Sequence, residues 1–419
     1  MKVIYNIGLW VWECILSIGA TFGKTKARQI IQGRKYTLSL PINRNNSSKR
    51  LWFHCASLGE FEQARPLIEA LKKRQPSIEI LLTFYSPSGY EYRKNYALAT
   101  HIAYLPADYS SIMQDWVNKV EPDIVFFVKY EFWPNLLQVL QDNSIPTYLL
   151  SGVFRKDQLF FKWYGQFFKK KLNSFEYFFL QDYKSQELLH SLGYTNSNVT
   201  GDTRFDRVLE NKKNILSIPL IDNFVSTATS VLVVGSCWPE DVSILLPFIK
   251  QLPTGVKCIL VPHDIGSNSI LRLKRQIYPL SAAQYSELTD DSTLHETSIL
   301  IVDTMGMLST LYHYATIVHV GGAFGKGLHN ILEPAVFGVP IVFGPNIKKF
   351  QEAQWMISLG CAFSVESAKE WEMKVRALLQ QPETRASIKI RLQNAIEVAS
   401  GATNKIMKQL EDSYPDLFI

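Results

Sequence analysis

Apolar and polar positions along most of the chain fall into short apolar runs followed by segments of helical periodicity. Leu51 to Ala56 is an apolar run closing on Ser57-Leu58-Gly59-Glu60, which predicts a strand, a turn and a helix start. The helix continues from Glu62 to Arg74, with Ala64, Leu67, Ile68 and Leu71 at helical spacing and Pro76 beyond its end. Ile78 to Phe84 predicts the next strand, ahead of the turn Ser86-Pro87-Ser88-Gly89, and Ile124 to Val128 and Thr147 to Leu150 repeat the pattern. The cycle restarts after Asn211 to Ser226, with strands expected at Val231 to Val234, Lys257 to Val261, Ile299 to Val302, Ile317 to Val320 and Pro340 to Phe343. Alternation of short apolar strands with helices specifies an α/β fold with parallel sheets. The expected organisation is two Rossmann-like domains, 48–208 and 226–395, facing a cleft, preceded by a segment 1–35 and followed by a helical tail 396–419. Ligands of such sheets bind outside the carboxyl ends of the strands, so the loops after strands are the informative ones.

Val3 to Phe22 is mainly apolar, holds Trp10 and Trp12 near its middle, and leads into Lys24, Lys26, Arg28, Arg34 and Lys35. A bilayer span needs about 20 apolar residues, and Glu13 at the centre would cost a few kcal/mol in hydrocarbon. An interfacial helix tolerates Glu13 better, with aromatics at the acyl boundary and cations on anionic headgroups. A helix packed within the protein or on a partner is the competing reading, and a signal peptide is disfavoured because its n-region would hold only Lys2. In either membrane mode the positive flank keeps the chain after residue 24 on the cytoplasmic side.

A chain of 419 residues exceeds what one hydrophobic core organises, and 47% hydrophobic with 20% charged residues excludes disorder. Cys14, Cys55, Cys237, Cys258 and Cys361 are widely spaced with no C-x-x-C pair, which suggests neither a disulfide framework nor a thiolate zinc site. A net charge of +6 favours an anionic surface or substrate. No helix-turn-helix, zinc-finger or RNP pattern is present, and no nucleic-acid partner is expected.

The run Gly321-Gly322-Ala323-Phe324-Gly325-Lys326-Gly327 follows an expected strand and leads into His329-Asn330-Ile331-Leu332-Glu333-Pro334. Glycines such as Gly325 and Gly327 let backbone approach a phosphate, and a following helix N-terminus would add N–H groups and partial positive charge. Glu333 can accept two hydroxyl hydrogen bonds from a ribose diol, while Asn330 helps hold the anion. The bland alternative is a glycine turn feeding a helix whose Glu333 favours the helix N-terminus. Gly235-Ser236-Cys237-Trp238, Pro262-His263-Asp264 and Asp303-Thr304-Met305-Gly306-Met307 follow other strands of the same half and could ring one nucleotide crevice. In the first half, Glu60 and the Glu131 of Lys129-Tyr130-Glu131-Phe132-Trp133-Pro134-Asn135 sit where a carboxylate can take a proton from an attacking hydroxyl. Each could equally be a first-turn helix acid. Arg204, in Gly201-Asp202-Thr203-Arg204-Phe205-Asp206, could steady a departing phosphate or a sugar carboxylate, or form a surface ion pair.

Taken in order, the Ser57 to Glu60 turn, Glu131 to Asn135, Gly201 to Asp206, Asp303 to Met307 and the Gly321 to Pro334 block resemble the Kdo transferases of lipopolysaccharide synthesis. The resemblance covers essentially the whole chain and implies a GT-B fold with an N-terminal membrane-associated helix. It also implies inverting transfer of 3-deoxy-D-manno-octulosonic acid (Kdo) from CMP-Kdo to a lipid A precursor, lipid IVA, at the cytoplasmic face of the inner membrane. By position, Glu60 matches the general base, Glu131 the acid that stabilises the transition state, and Arg204 a position where the family commonly has lysine. The segments matching CMP contacts are Pro262, His263 and Asp264, then Met305, Gly306 and Met307, then Asn330, Ile331, Leu332 and Glu333, with Gly235, Ser236, Gly325 and Gly327 as the expected phosphate loop. Two departures stand out: Pro-Arg-His is common where this chain has Pro262-His263-Asp264, and an acid is common where it has Lys129. CMP leaves as a monophosphate and no Asp-x-Asp motif stands at a strand end, so no metal or other cofactor is expected. The rival readings are another GT-B glycosyltransferase with a different nucleotide sugar, and a non-catalytic sugar-nucleotide-binding protein.

Overall fold

The computed structural model describes all residues except Asn46, Ser281, 289–293, His295 and Ile419. The chain divides into two compact units, one of residues 1–207 with 399–419 and the other of residues 208–398. Each is built on a seven-stranded sheet in which all recorded pairs are parallel.

The first sheet comprises β1 (Arg50–Cys55), β2 (Glu79–Phe84), β3 (His101–Tyr104), β4 (Ile124–Val128), β5 (Thr147–Gly152), β6 (Tyr177–Leu180) and β7 (Ser197–Val199). Its order is β3-β2-β1-β4-β5-β6-β7, so the winding reverses between β1 and β4. Every residue of β1 is buried, with Leu51, Phe53 and Cys55 in one core and Trp52 in the other. Burial of both faces is why this strand shows as a continuous apolar run. Helix α1 (Lys2–Thr21) and helix α2 (Thr25–Ser39) precede it, and α3 (Leu58–Arg74) follows. Ser57 and Glu60 form a capping box at the start of α3, and Lys72, Lys73 and Arg74 complement the dipole at its end.

The second sheet comprises β8 (Ser230–Cys237), β9 (Val256–Pro262), β10 (Ala282–Gln284), β11 (Ile299–Ile301), β12 (Ile317–Val320), β13 (Ile341–Phe343) and β14 (Ala362–Ser364). Its order is β10-β11-β9-β8-β12-β13-β14, and the reversal falls between β8 and β12. From the expected tail, the helix Ala402–Ser413 returns to the first unit, where Ile406 and Leu410 join the α3 side of the core. The Asp206 carboxylate accepts from the Thr403 amide and hydroxyl, both at 2.7 Å, and fixes the start of that helix.

The N-terminal helices belong to the first unit. Helix α2 packs against β3: Gly33 lies so close to the Tyr104 ring that a Cβ would sit 2.3 Å from it, and the Tyr104 amide donates to Thr37 Oγ1 at 3.0 Å. Helix α1 docks by one stripe, Tyr5, Leu9, Glu13 and Leu16, at helical spacing. Tyr5 Oη donates to Asp108 Oδ2 at 2.7 Å, and Asp108 also accepts from the Asn135 and Leu136 amides, capping the helix Pro134–Asp142. Burial is the largest influence on the Asp108 carboxyl and raises it to about 6 against these hydrogen bonds. Asn6 and Trp12 add hydrogen bonds to Asn135 and the Tyr85 hydroxyl, and most other apolar residues of α1 are exposed, Trp10 at 61%, as is its C-cap Phe22 at 83%.

Candidate active site

The winding reverses between β1 and β4, and the segments after those strands carry Glu60, in the first turn of α3, and Glu131, in a loop. Such a switch point opens a crevice at the carboxyl ends of the strands. Glu60 Oε2 accepts from the Ser57 amide at 2.9 Å, so the residue caps α3 as one sequence reading expected. It is also buried, and its carboxyl is pushed up to about 7, first by loss of solvent and then by the Glu131 charge; the Ser57 amide and Lys129 act in the opposite direction. Capping and an activated carboxyl therefore coexist in one side chain. Glu131 lies outside the following helix, two residues before its N-cap Trp133, so it is not a first-turn acid.

Trp133 links Glu131 to a residue that the sequence reading passed over. Its indole N–H lies 3.0 Å from both Glu131 Oε2 and His54 Nε2. His54 is fully buried in β1, with Nδ1 3.0 Å from Thr83 Oγ1, which itself accepts from Trp52 Nε1 at 2.7 Å. If Trp133 donates to Nε2, the neutral imidazole carries its proton on Nδ1 and donates to Thr83. One sequence signal was available: a histidine inside an apolar strand must find partners. Lys129, at φ +69°, turns the chain sharply out of β4.

Arg204 is ion-paired. Its Nε and Nη2 donate to Asp202 Oδ2 at 2.9 and 2.7 Å, and its amide donates to Asp202 Oδ1 at 3.0 Å. Burial would raise the Asp202 carboxyl, but the Arg204 charge and hydrogen bonds hold it below the usual carboxylate value. The pair is part-buried within the first unit rather than a loose surface contact.

In the second unit the loops after β8 and β12 meet through Asp241. Its Oδ2 accepts from the Trp238 amide and the Gly322 amide, both at 2.8 Å. His319 Nε2 stands 3.6 Å from its other oxygen, and Trp371 Nε1 donates to His319 Nδ1 at 3.1 Å. Beside this tie, Trp238 stacks on His263 with centroids 4.1 Å apart, and His263 stacks on His329 at 4.7 Å. Trp238 Nε1 donates to His329 Nε2 at 2.9 Å, and Lys326 Nζ lies 4.1 Å from the Trp238 ring centroid. Burial first, and then Lys326, holds the His263 imidazole below its usual value; burial and then His263 do the same for His329. The result is a flat aromatic surface beside a cation.

The glycine residues differ from expectation. The Gly325 and Gly327 amides both donate to Gly322 O, at 3.0 and 2.9 Å, so they close the loop on itself rather than cradle a phosphate. The next helix, Leu332–Ala335, is a single turn and cannot supply the expected dipole. Gly235 lies within β8 where a Cβ would fall 2.1 Å from Tyr312 Oη, so its small size serves packing. Ser236, at φ +51°, sits where the β8–β9 register shifts between Val234 and Cys237. Glu333 Oε1 accepts from Asn330 Nδ2 at 2.9 Å, and Asn330 Oδ1 accepts from the Leu332 amide at 3.0 Å, so these two residues are held together. Asp264 accepts from the Gly266 amide at 3.0 Å and the Ser269 hydroxyl at 2.6 Å, just ahead of the helix Ser267–Ile277. Met305 is exposed at 68%, and Gly306 takes a left-handed φ of +86° ahead of Met307, the N-cap of the helix Leu308–Leu311.

Residues 24–207 match the family model described as 3-deoxy-D-manno-octulosonic-acid transferase (kdotransferase). A 3-deoxy-D-manno-octulosonic acid transferase of Chlamydophila psittaci is 26% identical over 397 residues, 90% of each chain. One of Rickettsia prowazekii is 27% identical over 382 residues, 88% of this chain and 80% of its own. Over these matches the chain is similar to the Kdo transferases. The architecture is the GT-B fold: MurG of Acinetobacter baumannii superposes with a TM-score of 0.55 at 11% identity, covering 87% of this chain and 99% of its own. Of the segments that carry the resemblance, Ser57 to Glu60, Glu131 to Asn135 and Gly321 to Pro334 follow strands that flank a switch point, while Gly201 to Asp206 follows β7 and Asp303 to Met307 follows β11.

Proposed function

We propose that the chain is an inverting glycosyltransferase that moves Kdo from CMP-Kdo to a lipid A precursor of the lipid IVA type. The observation that carries this reading is Glu60, a buried carboxyl raised to about 7 at the carboxyl end of β1, next in charge to Glu131. A base with that proton affinity is half ionised near neutral pH and retains driving force for proton transfer. In the proposed reaction the acceptor hydroxyl oxygen forms a bond to the anomeric carbon of Kdo as its proton passes to Glu60. The bond to the CMP phosphate breaks on the opposite face, and CMP carries the electron pair away.

Glu131, fixed by the Trp133 indole, supports the positive charge that develops on the sugar ring, and Arg204 supplies cationic charge for the phosphate or the Kdo carboxylate. Donor recognition is assigned to Pro262, His263 and Asp264, to Met305, Gly306 and Met307, and to Asn330, Ile331, Leu332 and Glu333. Glu333 grips the ribose diol, and the phosphate lies by Ser236. Among the described residues, no group of three His, Cys, Asp or Glu side chains is placed to hold a metal ion. The monophosphate leaving group carries less charge than a diphosphate, so the proposed step needs no metal. Exposed apolar residues of α1, followed by the basic cluster of α2, support attachment to the cytoplasmic face of the inner membrane.

The deciding experiment incubates the purified protein with lipid IVA and CMP-Kdo made in situ and reads product mass. A mass increase of one or more Kdo units is expected. Transfer only from another nucleotide sugar in a donor panel would make this a different glycosyltransferase, and CMP binding without turnover on any acceptor would make it a binding protein.

A further inference from the structure

The segment from Leu159 to Lys171 lies outside the motifs used above and has its own chemistry. A 3-10 turn, Leu159–Phe161, is followed by Lys162-Trp163-Tyr164-Gly165 and the short helix Gln166–Lys171. Gly165 folds the chain back: its amide donates to Lys162 O at 2.8 Å, and a Cβ at this position would lie 1.7 Å from Leu159 O. The turn leaves Trp163 at its tip, 90% exposed, in edge contact with Tyr164. Below the tip, Phe160 is buried in the core, so the loop has a fixed base. Lys162, Lys169, Lys170 and Lys171 flank the tip, and no acid occurs between Lys162 and Lys171.

The loop is a neighbour of α1. The Tyr5 ring lies 6.3 Å from Phe167 and 6.2 Å from Phe168. The exposed apolar residues of α1 and the exposed Trp163 therefore belong to one region of the first unit. A tryptophan held out in water by a tight, glycine-dependent turn, with lysines on both sides of it in the chain, has the chemistry of a headgroup-level anchor. A second copy of this chain, with its net charge of +6, would be repelled by those lysines, whereas an anionic lipid surface is attracted to them.

We propose that the loop 159–171, with Trp163 at its tip, is a second membrane-contacting element that engages anionic lipid beside α1. The proposal rests on the reading of α1 as a membrane helix and adds a second point of contact, which fixes how the first unit is oriented on the bilayer. One weak anchor gives only marginal, reversible attachment, and two together give a stable one.

The test uses the full-length chain and vesicles of phosphatidylcholine with or without phosphatidylglycerol. Trp163→Ser is expected to weaken partition roughly fivefold to tenfold on both vesicle types. Lys162→Gln with Lys170→Gln is expected to weaken it roughly fivefold per lysine, on the anionic vesicles alone. Lipids brominated along the acyl chain should quench the wild type more than Trp163→Phe. Trp163 is exposed, so an unchanged melting temperature accompanies these results, and a lowered one is controlled by Trp163→Phe. If the loop variants bind and quench like wild type while Ile7→Ser with Trp10→Ser loses binding, the loop proposal falls and the α1 reading stands. If the wild type itself does not bind vesicles, both fall. Unchanged vesicle binding with a raised KM for acceptor in detergent would assign the loop to the acceptor's acyl chains and overturn the proposal.

Discussion

Arg34 Nη1 lies 2.6 Å from Glu13 Oε1, pairing α2 with the one acidic residue of α1. The Arg34 side chain is 9% exposed, donates from Nε to Leu105 O at 3.1 Å, and lies 5.1 Å from the Tyr85 ring centroid. Glu13, which argues from sequence against a full membrane crossing, is thus turned toward protein. The packed helix and the apolar, solvent-facing helix, rivals in the sequence, are two sides of the same element.

Arg34→Ala should therefore loosen α1 from the first unit, leaving Glu13 without its cation and opening space beside Tyr85. Part-buried pairs of this kind lose roughly 1–3 kcal/mol when one partner is removed. The expected outcome is a lower melting temperature with faster proteolysis near Gly23, and CMP affinity unchanged because the residues proposed to hold the nucleotide are in the other unit. Deletion of residues 1–23 should go further, since Asp108 loses the Tyr5 hydroxyl as well. If the truncated chain melts at the wild-type temperature, α1 contributes nothing to the unit.

Glu60→Gln separates catalysis from capping. The amide can still accept from the Ser57 N–H, so α3 keeps its cap, but the proton acceptor is gone. Turnover should fall roughly a hundredfold or more with CMP affinity preserved. The stability effect has the opposite sign. The folded carboxyl takes its proton near 7 and the unfolded one near 4.5, so the wild type loses stability as pH rises through that interval. The glutamine variant escapes this loss and should be more stable than wild type at pH 8, by roughly 1–3 kcal/mol, with the difference fading below pH 4.5. In the wild type, kcat/KM should rise with pH through about 7 as Glu60 ionises. Near-normal turnover of the glutamine variant at saturating substrates would leave Glu60 with the capping role alone.

The strands legible in the sequence are those buried on both faces, where burial and apolar runs coincide: β1, β4, β8 and β12 were placed to within a few residues. The edge strands β3, β7, β10 and β14 are three or four residues long and partly exposed, so no continuous run marks them. Post-strand loops pointed to Glu60, Glu131 and Glu333 because a parallel sheet puts chemistry there. The glycine loop misled because composition does not disclose whether an amide is free; Gly325 and Gly327 both use theirs on Gly322 O. His54 and Asp241 were silent since their partners are remote in sequence: Trp133 for the first and Gly322 for the second.

Asp241→Ala should detach the loop after β8 from the loop after β12. Two backbone amides that now donate to one buried carboxylate would be left unpaired, at a cost of roughly 2–4 kcal/mol for the second unit. CMP affinity should fall with it because Trp238, His263 and His329 lose their common support. Asn supplies an oxygen in the same place, so Asp241→Asn should recover most of the stability. Equal melting temperatures for the alanine variant and the wild type, by calorimetry, would remove the tie from consideration.

Glu333→Gln tests the ribose assignment. In the structure one carboxylate oxygen, Oε1, accepts from Asn330 Nδ2, and Asn330 is in turn fixed by the Leu332 amide, so the Glu333 side chain is oriented before any ligand arrives. An oriented carboxylate can accept from both hydroxyls of a vicinal diol, whereas a glutamine offers a single acceptor oxygen and an N–H₂ that faces a hydroxyl hydrogen unless the diol reorients. Loss of one charged hydrogen bond of about 1.5–3 kcal/mol corresponds to roughly ten- to a hundredfold in affinity, and CMP and CMP-Kdo should weaken alike because both carry the ribose. Comparing CMP with 2′-deoxy-CMP sharpens the result: the wild type should prefer CMP and the variant should lose that preference. Asn330→Ala should give a smaller loss of the same kind, since it releases Glu333 without removing it. A wild type that binds CMP and 2′-deoxy-CMP equally would take Glu333 away from the ribose, whatever the variants do.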